Sequence, residues 1–332
     1  MKKILGILVF VLVIASILVG CSKPAPAPAT AAPIVLKAIA MVPLPNGLND
    51  YYKVIIDTIN KKAGGELRID LLGGPEIVDT YDQPQAIING VVDMTHTFPD
   101  TYKSNILETC ALGLSEITPQ EERTRGFYDF MVELHKKVGL RYLGRTISYV
   151  PFYVMLHDKR VEKLQDLNGL RIATASIFLP GFKKLGIVGV AMSMGEKYTA
   201  VERGLCDGLS TPISDAIDMS YLEVSKYWID HPIFTFDVVM IMSLDKWNQL
   251  PEHLQSLIEN TVAELEQAEY KYFQDRDDKF IQEIVKRGMQ PLTFSPEEAQ
   301  TYVQAMRDGL WEEVKASVTP DSYLKLRKFL VK

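Results

Sequence analysis

The sequence predicts a mixed α/β protein built as two similar lobes. A strand, a helix and a second strand open the folded part of the chain at Ile34–Met41, Asn49–Gly64 and Glu66–Leu72, the order typical of a mostly parallel sheet. The segment Ala86–Asp93 then recurs as Ala200–Asp207, with alanine, glycine and aspartate at the same spacing. Because each copy ends a helix on glycine and leads into an apolar run, the repeat indicates two lobes of similar construction.

Helix starts are marked by hydroxyl residues followed three positions later by glutamate. Thr118 and Ser193 begin such capping boxes, and Ser295 caps the last long helix. We expect one helix from Thr118 to Gly139, with an aromatic face. Asn49 is expected to cap the first helix of the chain.

Two longer patterns follow along the chain. Leu140–Met155 is rich in aromatic and β-branched residues, which predicts a strand that passes from one lobe to the other. A helical pattern runs from Pro251 to Arg287 before Gly288 ends it, which is long for a helix packed within one domain.

Ser210-Thr211-Pro212 is expected to cap and start a further helix.

The first residues predict an export signal. Lys2-Lys3 precedes the apolar run Ile4–Val19, and the segment ends at Gly20-Cys21, the pattern of a bacterial lipoprotein signal. Residues 1–21 would be the signal peptide, and Cys21 would carry the lipid that tethers the protein outside the cytoplasm; a plain anchor helix is the alternative. Residues 22–33, rich in proline and alanine, predict an extended linker.

Composition excludes some function classes. The net charge of −6 and the absence of a basic cluster give no indication of nucleic-acid binding, and 47% hydrophobic residues are enough for one large or two medium domains. Cys110 and Cys206 could form a disulfide in an oxidising compartment, or could remain two buried free thiols.

Sequence patterns of catalytic or metal sites were not found, so we expect neither an enzyme nor a metal or other cofactor. The sequence has no nucleophile elbow, zinc-protease motif, phosphate loop or dinucleotide fingerprint. The histidines show no metal-ligand spacing: His96, His135, His157, His231 and His253. His96 follows the first copy of the repeat, and a hydrogen-bonded wall residue is its favoured interpretation.

Three motifs in one order resemble a known family. Gly73–Met94, Glu196–Met219 and Asp245–Asn260 are similar to segments of the extracytoplasmic solute receptors of tripartite ATP-independent (TRAP) transporters, in the dicarboxylate-receptor branch. The second segment matches the pattern E-x-Y-x-A-[LM]-x-x-G-x-x-D-G-x-x-x-P. The similarity extends over nearly all of the chain from Ile34 onward.

The resemblance implies a two-lobed fold like that of periplasmic binding proteins, with crossing hinge strands and a long helix that spans both lobes. Residues 34–150 and 237–276 would form lobe I, and residues 151–236 and 277–332 would form lobe II. The resemblance also makes Phe234–Leu244 the returning hinge strand. Ligand would bind between the lobes, which close over it.

The function implied is capture of a small organic solute and its delivery to TRAP membrane permease subunits, in the periplasm or at the cell surface. A ligand-sensing subunit of a membrane signalling protein is an alternative that uses the same features. A secreted lipoprotein enzyme is a more distant alternative.

Site residues are carried over from the family by position. The first lobe would contribute the loop Pro43–Asn46 and the segment His96, Thr97 and Phe98. The second lobe would contribute the following side chains: Tyr153, Thr174, Met194 and Thr211.

The chain departs from the family at its usual carboxylate-binding arginine, where Ala173 stands. Arg171 or Arg145 could take over this anchoring role, because arginine pairs with carboxylates through two parallel hydrogen bonds. A β-bulge could instead shift the register. The third alternative is a neutral or aromatic ligand, held by hydroxyls, amides and aromatic faces.

Overall fold

The computed structural model describes residues 32–332. The predicted signal peptide, the lipidated Cys21 and almost all of the predicted linker lie outside the described residues. Ile34–Lys332 forms one compact unit. Among the described residues, no helix combines the length and apolarity needed to cross a bilayer.

Two sheets organise the described chain. The strands, in chain order, are β1 (Ile34–Ile39), β2 (Leu67–Leu71), β3 (Met94–Thr97), β4 (Leu140–Ile147), β5 (Pro151–Leu156), β6 (Arg171–Thr174), β7 (Val188–Ala191), β8 (Gly208–Pro212), β9 (Tyr227–Ile229), β10 (Phe234–Thr235), β11 (Val238–Ser243) and β12 (Gln290–Leu292). The first sheet has the order β2-β1-β3-β11-β4; the second has the order β12-β9-β5-β8-β6-β7, with β10 paired to β5. β1 pairs in parallel with β2 and β3, whereas β11 joins antiparallel, so the predicted parallel opening and the returning strand are both present.

Helices cover the faces of these sheets. In chain order they are α1 (Asp50–Lys62), α2 (Gln83–Ile88), α3 (Pro119–Arg125), α4 (Phe127–Lys136), α5 (Leu179–Lys184), α6 (Met194–Glu202), α7 (Asp215–Asp218), α8 (Leu244–Gln249), α9 (Glu252–Lys286), α10 (Pro296–Ser317) and α11 (Pro320–Leu330). Each sheet carries a buried apolar cluster on both faces, which is the layered packing expected of an α/β protein.

The repeated segment builds the same local structure in both lobes. The Asp93 carboxylate accepts the backbone N–H of Lys37 at 2.7 Å, and the Asp207 carboxylate accepts that of Arg171 at 2.8 Å. The glycine after each repeat helix has a positive φ, a conformation that favours glycine. Each repeat therefore joins one strand to its parallel neighbour through an aspartate.

Helix α9 crosses from one lobe to the other. It has 35 residues and is about 52 Å long at 1.5 Å per residue. Ile258 and Phe273 belong to the core on the first sheet, whereas Ile284 belongs to a core on the second sheet. The predicted long helix that spans both lobes is confirmed.

Several local predictions are wrong. Gly126, with φ +86°, divides the expected single helix into α3 and α4, and residues 148–150 divide the crossing strand into β4 and β5. Residues 210–212 belong to β8 instead of capping a helix. The Asn49 side chain does not cap α1; it is buried and donates to the Val42 carbonyl at 3.1 Å.

The lobe boundaries predicted from the sequence stay a prediction. For the C-terminal helices alone, the packing differs from the predicted assignment. Leu326 and Leu330 of α11 pack in a core cluster of the first sheet. Helix α10 reaches the second lobe at Gly309, where a Cβ would meet the backbone of Gly181 in α5. The structure therefore places α11 on the first lobe and α10 against both, although residues 277–332 were expected in lobe II.

Candidate functional site

A cavity of about 130 Å³ lies between the two lobes. Five phenyl rings form much of its wall: Phe98, Phe152, Phe178, Phe234 and Phe236. Phe98 directly follows β3, and Ala175, which also lines the cavity, directly follows β6. The cavity therefore lies at the carboxyl ends of parallel strands in both sheets, where α/β proteins bind ligands.

The rings form a continuous surface that crosses the hinge. Neighbouring ring centroids along it are 5.2 to 6.2 Å apart, within the range of favourable aromatic contacts. Strand β5 contributes Phe152, and β10 contributes Phe234. Gly113 faces the Phe234 ring, and a Cβ at that position would overlap it. The absence of a side chain at Gly113 thus allows this ring to reach the cavity wall.

One buried carboxylate lies in this wall. Asp237, directly before β11, is 4% exposed. Arg145 of β4 donates to Asp237 through Nη1 and to Glu122 of α3 through Nη2, so one guanidinium serves two acids. Burial raises the pKa of Asp237 to about 6 and that of Glu122 to about 7, against the opposing effect of Arg145. The described residues that line the cavity include no lysine, arginine or histidine.

Of the three consecutive first-lobe residues predicted for the site, only Phe98 lines the cavity. His96 is fully buried: its Nε2 lies 2.9 Å from Asn49 Oδ1, and its ring stacks on Tyr52 with centroids 4.1 Å apart. Burial, with a smaller effect of a nearby lysine, lowers the pKa of His96 to about 3. Thr97 is buried as well, with its hydroxyl 3.0 Å from that of another threonine. His96 is thus a neutral wall residue behind the cleft.

Neither candidate for a substitute anchor is free to bind a ligand carboxylate. Arg145 is 2% exposed and held between its two acids. Arg171 begins β6, at the opposite end from Thr174; it donates to the Gly204 carbonyl at 2.9 Å and lies 3.5 Å from the Asp207 carboxylate. β6 pairs with β7 and β8 in continuous register, so no bulge moves Arg171 toward the cleft.

The predicted second-lobe residues lie on neighbouring strands, away from the aromatic cavity. Tyr153 of β5 and Thr211 of β8 are cross-strand partners, and both are buried. The Thr174 hydroxyl on β6 lies 2.6 Å from that of Ser210. Met194, the first residue of α6, is 48% exposed. The structure brings the three strand residues together, and none of the four predicted residues lines the cavity.

Charged side chains surround these hydroxyls. Thr211 donates to Asp215, and Lys197 Nζ donates to a β8 carbonyl at 2.8 Å; burial lowers the pKa of Lys197 to about 8 and raises that of Asp215 to about 6. On α9, Asp277 is 2% exposed, and neither of its carboxylate oxygens has a hydrogen-bond partner in the part of the chain that the structure describes. Its nearest cation, Arg276, lies 3.8 Å away, and burial raises the pKa of Asp277 to about 7.

The two cysteines that the sequence left open are free thiols in the structure. Cys110 lines the aromatic cavity, whereas Cys206 is buried in a core cluster of the second lobe. Among residues 32–332, no group of histidine, cysteine, aspartate and glutamate side chains could hold a metal ion.

Sequence reasoning missed part of the cavity wall. Phe234, Phe236 and Asp237 lie in a run identified only as the returning strand. Phe152 and Phe178 carry no local pattern that distinguishes a cavity wall from a core position. The alternation Phe234-Thr235-Phe236 next to an acid was the available signal, because a strand that crosses between lobes presents alternate residues to the cleft.

Comparison with known proteins identifies the family. Residues 48–316 match the model of "Bacterial extracellular solute-binding protein, family 7". An uncharacterised protein of Haemophilus influenzae is 30% identical over 139 residues, 41% of this chain and 42% of its own length. A solute-binding protein of Verminephrobacter eiseniae is 23% identical over 191 residues, 54% of this chain and 56% of its own length. The chain thus spans about half the length of these two curated relatives.

Solved structures share the fold. A TRAP periplasmic solute-binding protein of Rhodobacter sphaeroides, in an apo open form, superposes with a TM-score of 0.79 at 17% identity, covering 90% of this chain and 98% of that one. A Bordetella pertussis receptor that binds pyroglutamic acid gives a TM-score of 0.72 at 16% identity, with coverage of 89% and 99%.

The predicted two-lobed fold is therefore confirmed. The extracytoplasmic location predicted from the sequence agrees with the family. The chain belongs to the bacterial extracellular solute-binding protein family 7, and it has the fold of TRAP periplasmic solute-binding proteins.

Proposed function

We propose that this protein captures a small organic solute in the aromatic cavity between its lobes and delivers it, in a closed form, to TRAP permease subunits. The observation that carries the proposal is the position of the cavity. It lies between two lobes joined by β4, β5, β11 and α9, so a ligand that contacts both walls stabilises their closure. The membrane partner would distinguish the closed from the open form.

The ligand contacts supported by this geometry are apolar and aromatic. Phe152 and Phe178 come from the second lobe and Phe98 from the first, so one ring-sized group can touch both lobes. Arg145 and Arg171 are both engaged by acids of the protein itself. Of the three alternatives left by the sequence, ligand binding through aromatic faces without an arginine anchor is the one that the structure supports.

Ligand binding by the purified full chain tests the proposal. In a thermal-shift screen of organic acids, amines, sugars and aromatic compounds, a ligand at one hundred times its Kd should add about 2.7 kcal/mol to the free energy of unfolding. A hit is then measured by calorimetry. Failure of every compound class to bind would contradict the receptor function.

Two variants locate the site. Gly113→Ala should abolish or strongly weaken binding, because its Cβ occupies the space of the Phe234 ring. Phe152→Ala removes one wall of the cavity. Phe294→Ala is the matched control, because Phe294 is buried in the core of the same lobe but does not line the cavity. Phe294→Ala should lower stability and leave the affinity of the folded protein for the ligand unchanged. Equal affinity losses in Phe152→Ala and Phe294→Ala would place the site elsewhere.

The membrane tether is part of the same proposal. A lipid on Cys21 would hold the receptor beside its permease, and the proline-rich linker would set the reach. Cys21→Ser should move the protein from the membrane fraction to the soluble fraction of cells. Retention of this variant in the membrane fraction would contradict the lipid anchor without affecting the binding function.

A further inference from the structure

We infer that the solute carries a positive charge, as a quaternary ammonium or protonated amine group that the phenyl rings surround and Asp237 pairs with. This inference rests on the proposed receptor function and specifies the charge of its ligand. The chemistry that would recognise such a group is present in the wall of the aromatic cavity.

The first observation is an unpaired oxygen. Asp237 lines the cavity and is 4% exposed. Its Oδ1 accepts a hydrogen bond from Arg145, whereas its Oδ2 is buried without a hydrogen-bond partner among residues 32–332. A buried carboxylate oxygen without a partner is costly. A cationic group in the adjoining cavity would stabilise this charge electrostatically.

The second observation is the local charge balance. Arg145 is shared between Asp237 and Glu122, and both acids are at least 96% buried. One guanidinium against two carboxylates leaves an excess negative charge behind the cavity wall when both acids are ionised. Asp100 adds a further acid at the cavity rim, although Lys103 lies 3.3 Å from it. The wall therefore repels an anionic ligand and attracts a cationic one.

The third observation is the aromatic lining. The faces of phenyl rings carry negative electrostatic potential and attract cations, and desolvated sites show the largest effect. Five rings line this cavity, which is the composition of sites that bind methylated ammonium groups. A cavity of about 130 Å³ is close in size to one of about 150 Å³ that holds benzene, so a trimethylammonium group fits.

A neutral aromatic ligand would use the rings but leave the Asp237 oxygen unpaired. A carboxylate ligand would face two acids and no basic side chain in the lining. A cation interacts favourably with both the rings and the carboxylate through a single charged group. The position of Ala173, where the resemblance placed an arginine, is consistent with the loss of an anion-binding site.

The test compares three probes of nearly equal shape on the purified full chain. Choline carries the positive charge, 3,3-dimethylbutan-1-ol replaces its nitrogen by carbon, and 3,3-dimethylbutanoate is an anion of similar shape. We expect choline to bind about tenfold or more tightly than the alcohol, and the anion to bind least. Calorimetry at pH 7.5 measures all three affinities, and this comparison requires no variant.

Asp237→Asn identifies the residue responsible. Asparagine can still accept the bond from Arg145, so we expect the fold to persist and the preference of choline over the alcohol to fall about tenfold. Asp277→Asn is the matched control, because Asp277 is a carboxylate as deeply buried as Asp237 but does not line the cavity; it should change the preference by less than about twofold. Thermal unfolding of both variants checks their folding.

The outcomes of these binding measurements distinguish a failure of the charge inference from a failure of the receptor function. Equal affinity for choline and its neutral analogue, or preference for the anion, would overturn the inference and leave the receptor function intact. If none of the three binds, a screen of larger amines against acids and alcohols of matched size decides: hits confined to uncharged or acidic compounds overturn the inference. No hit in any class contradicts the receptor function, and the inference fails with it.

Discussion

The two lobes share a construction but hold their buried charges differently along helix α9. On the first-lobe part of the helix, Glu266 accepts the backbone N–H of Arg145 at 2.7 Å, and Glu269 accepts that of Ser148 at 2.6 Å. Where the helix passes toward the second lobe, the buried carboxylate of Asp277 has no hydrogen-bond partner among the described residues. The comparison teaches that the helix acids beside the first lobe are hydrogen-bonded to the backbone of the hinge segment, whereas the acid at the crossing to the second lobe is not.

Close backbone approach explains part of this difference. Gly144 in β4 has φ +138°, and a Cβ there would collide with the Glu266 carboxylate. The glycine therefore lets the helix carboxylate reach the strand. Arg145, the next residue, then connects the strand to two further acids. No comparable set of donors reaches Asp277.

The largest expected loss of stability comes from removing Arg145, which pairs with both Glu122 and Asp237. Arg145→Met should lower the free energy of unfolding by about 3–5 kcal/mol, because Glu122 and Asp237 would remain buried without a counter-ion. Urea unfolding of the full chain at pH 7.5 measures the loss. Arg171→Met is the matched control: Arg171 is 47% exposed at its side chain and should cost at most about 1 kcal/mol. Similar losses in the two variants would contradict the distinction.

The next effect concerns what the lobes have in common. Asp93→Ala and Asp207→Ala should each cost about 2–3 kcal/mol, because each leaves the backbone N–H of the adjoining strand without its acceptor. Asp→Asn at either position should recover much of the loss, since the amide oxygen can accept the same bond. Unfolding curves of the four variants test this. A large loss of stability for only one of Asp93→Ala and Asp207→Ala would show that the two copies of the repeat are not structurally equivalent.

The smallest effect concerns Asp277 and depends on pH. Its folded-state pKa of about 7 lies above the unfolded value of about 3.9, so the folded protein retains a proton that the unfolded chain has lost. The stability that the folded protein gains from retaining this proton on Asp277 is complete below pH ~4 and is lost as the pH rises through about 7. Asp277→Asn should remove this loss, and its advantage over the wild type should grow by about 1–2 kcal/mol between pH 6 and pH 8.

Unfolding measured at these two pH values, beside the exposed control Asp278→Asn, tests the sign. A constant difference between wild type and Asp277→Asn across this range would mean that Asp277 does not titrate within it. A growing disadvantage of the variant would mean that Asp277 has a partner in solution.

Much of the architecture could be predicted from local sequence. The Thr118 capping box forms, with the Glu121 N–H donating to the Thr118 hydroxyl at 3.3 Å. Ser295 caps α10 as expected, and α9 extends over nearly the predicted length. These features depend on residues that are neighbours along the chain, so periodicity and capping patterns are sufficient to detect them.

The errors have a common physical cause. Asparagine is a residue type favoured at helix caps, but the Asn49 side chain instead forms hydrogen bonds with His96 and with a loop carbonyl inside the first lobe. The residue types of Ser210–Pro212 are typical of a helix start, but this run pairs with β5 as the last part of strand β8. In both segments a tertiary partner competes with the local preference and wins.

The sequence by itself indicated two lobes of similar construction, a strand that passes between them and an unusually long helix, because repeat spacing, capping signals and apolar periodicity are local properties. That the helix spans both lobes, and that a second strand returns, was implied by the family resemblance. Only the tertiary structure decided which side chains meet between the lobes. Arg145 and Arg171 are equally plausible anchors in the sequence, yet one is enclosed by two acids and the other lies at the far end of its strand. The cavity of phenyl rings and Asp237 combines residues from four separate parts of the chain, and distances between such parts are set by packing, which no local pattern records.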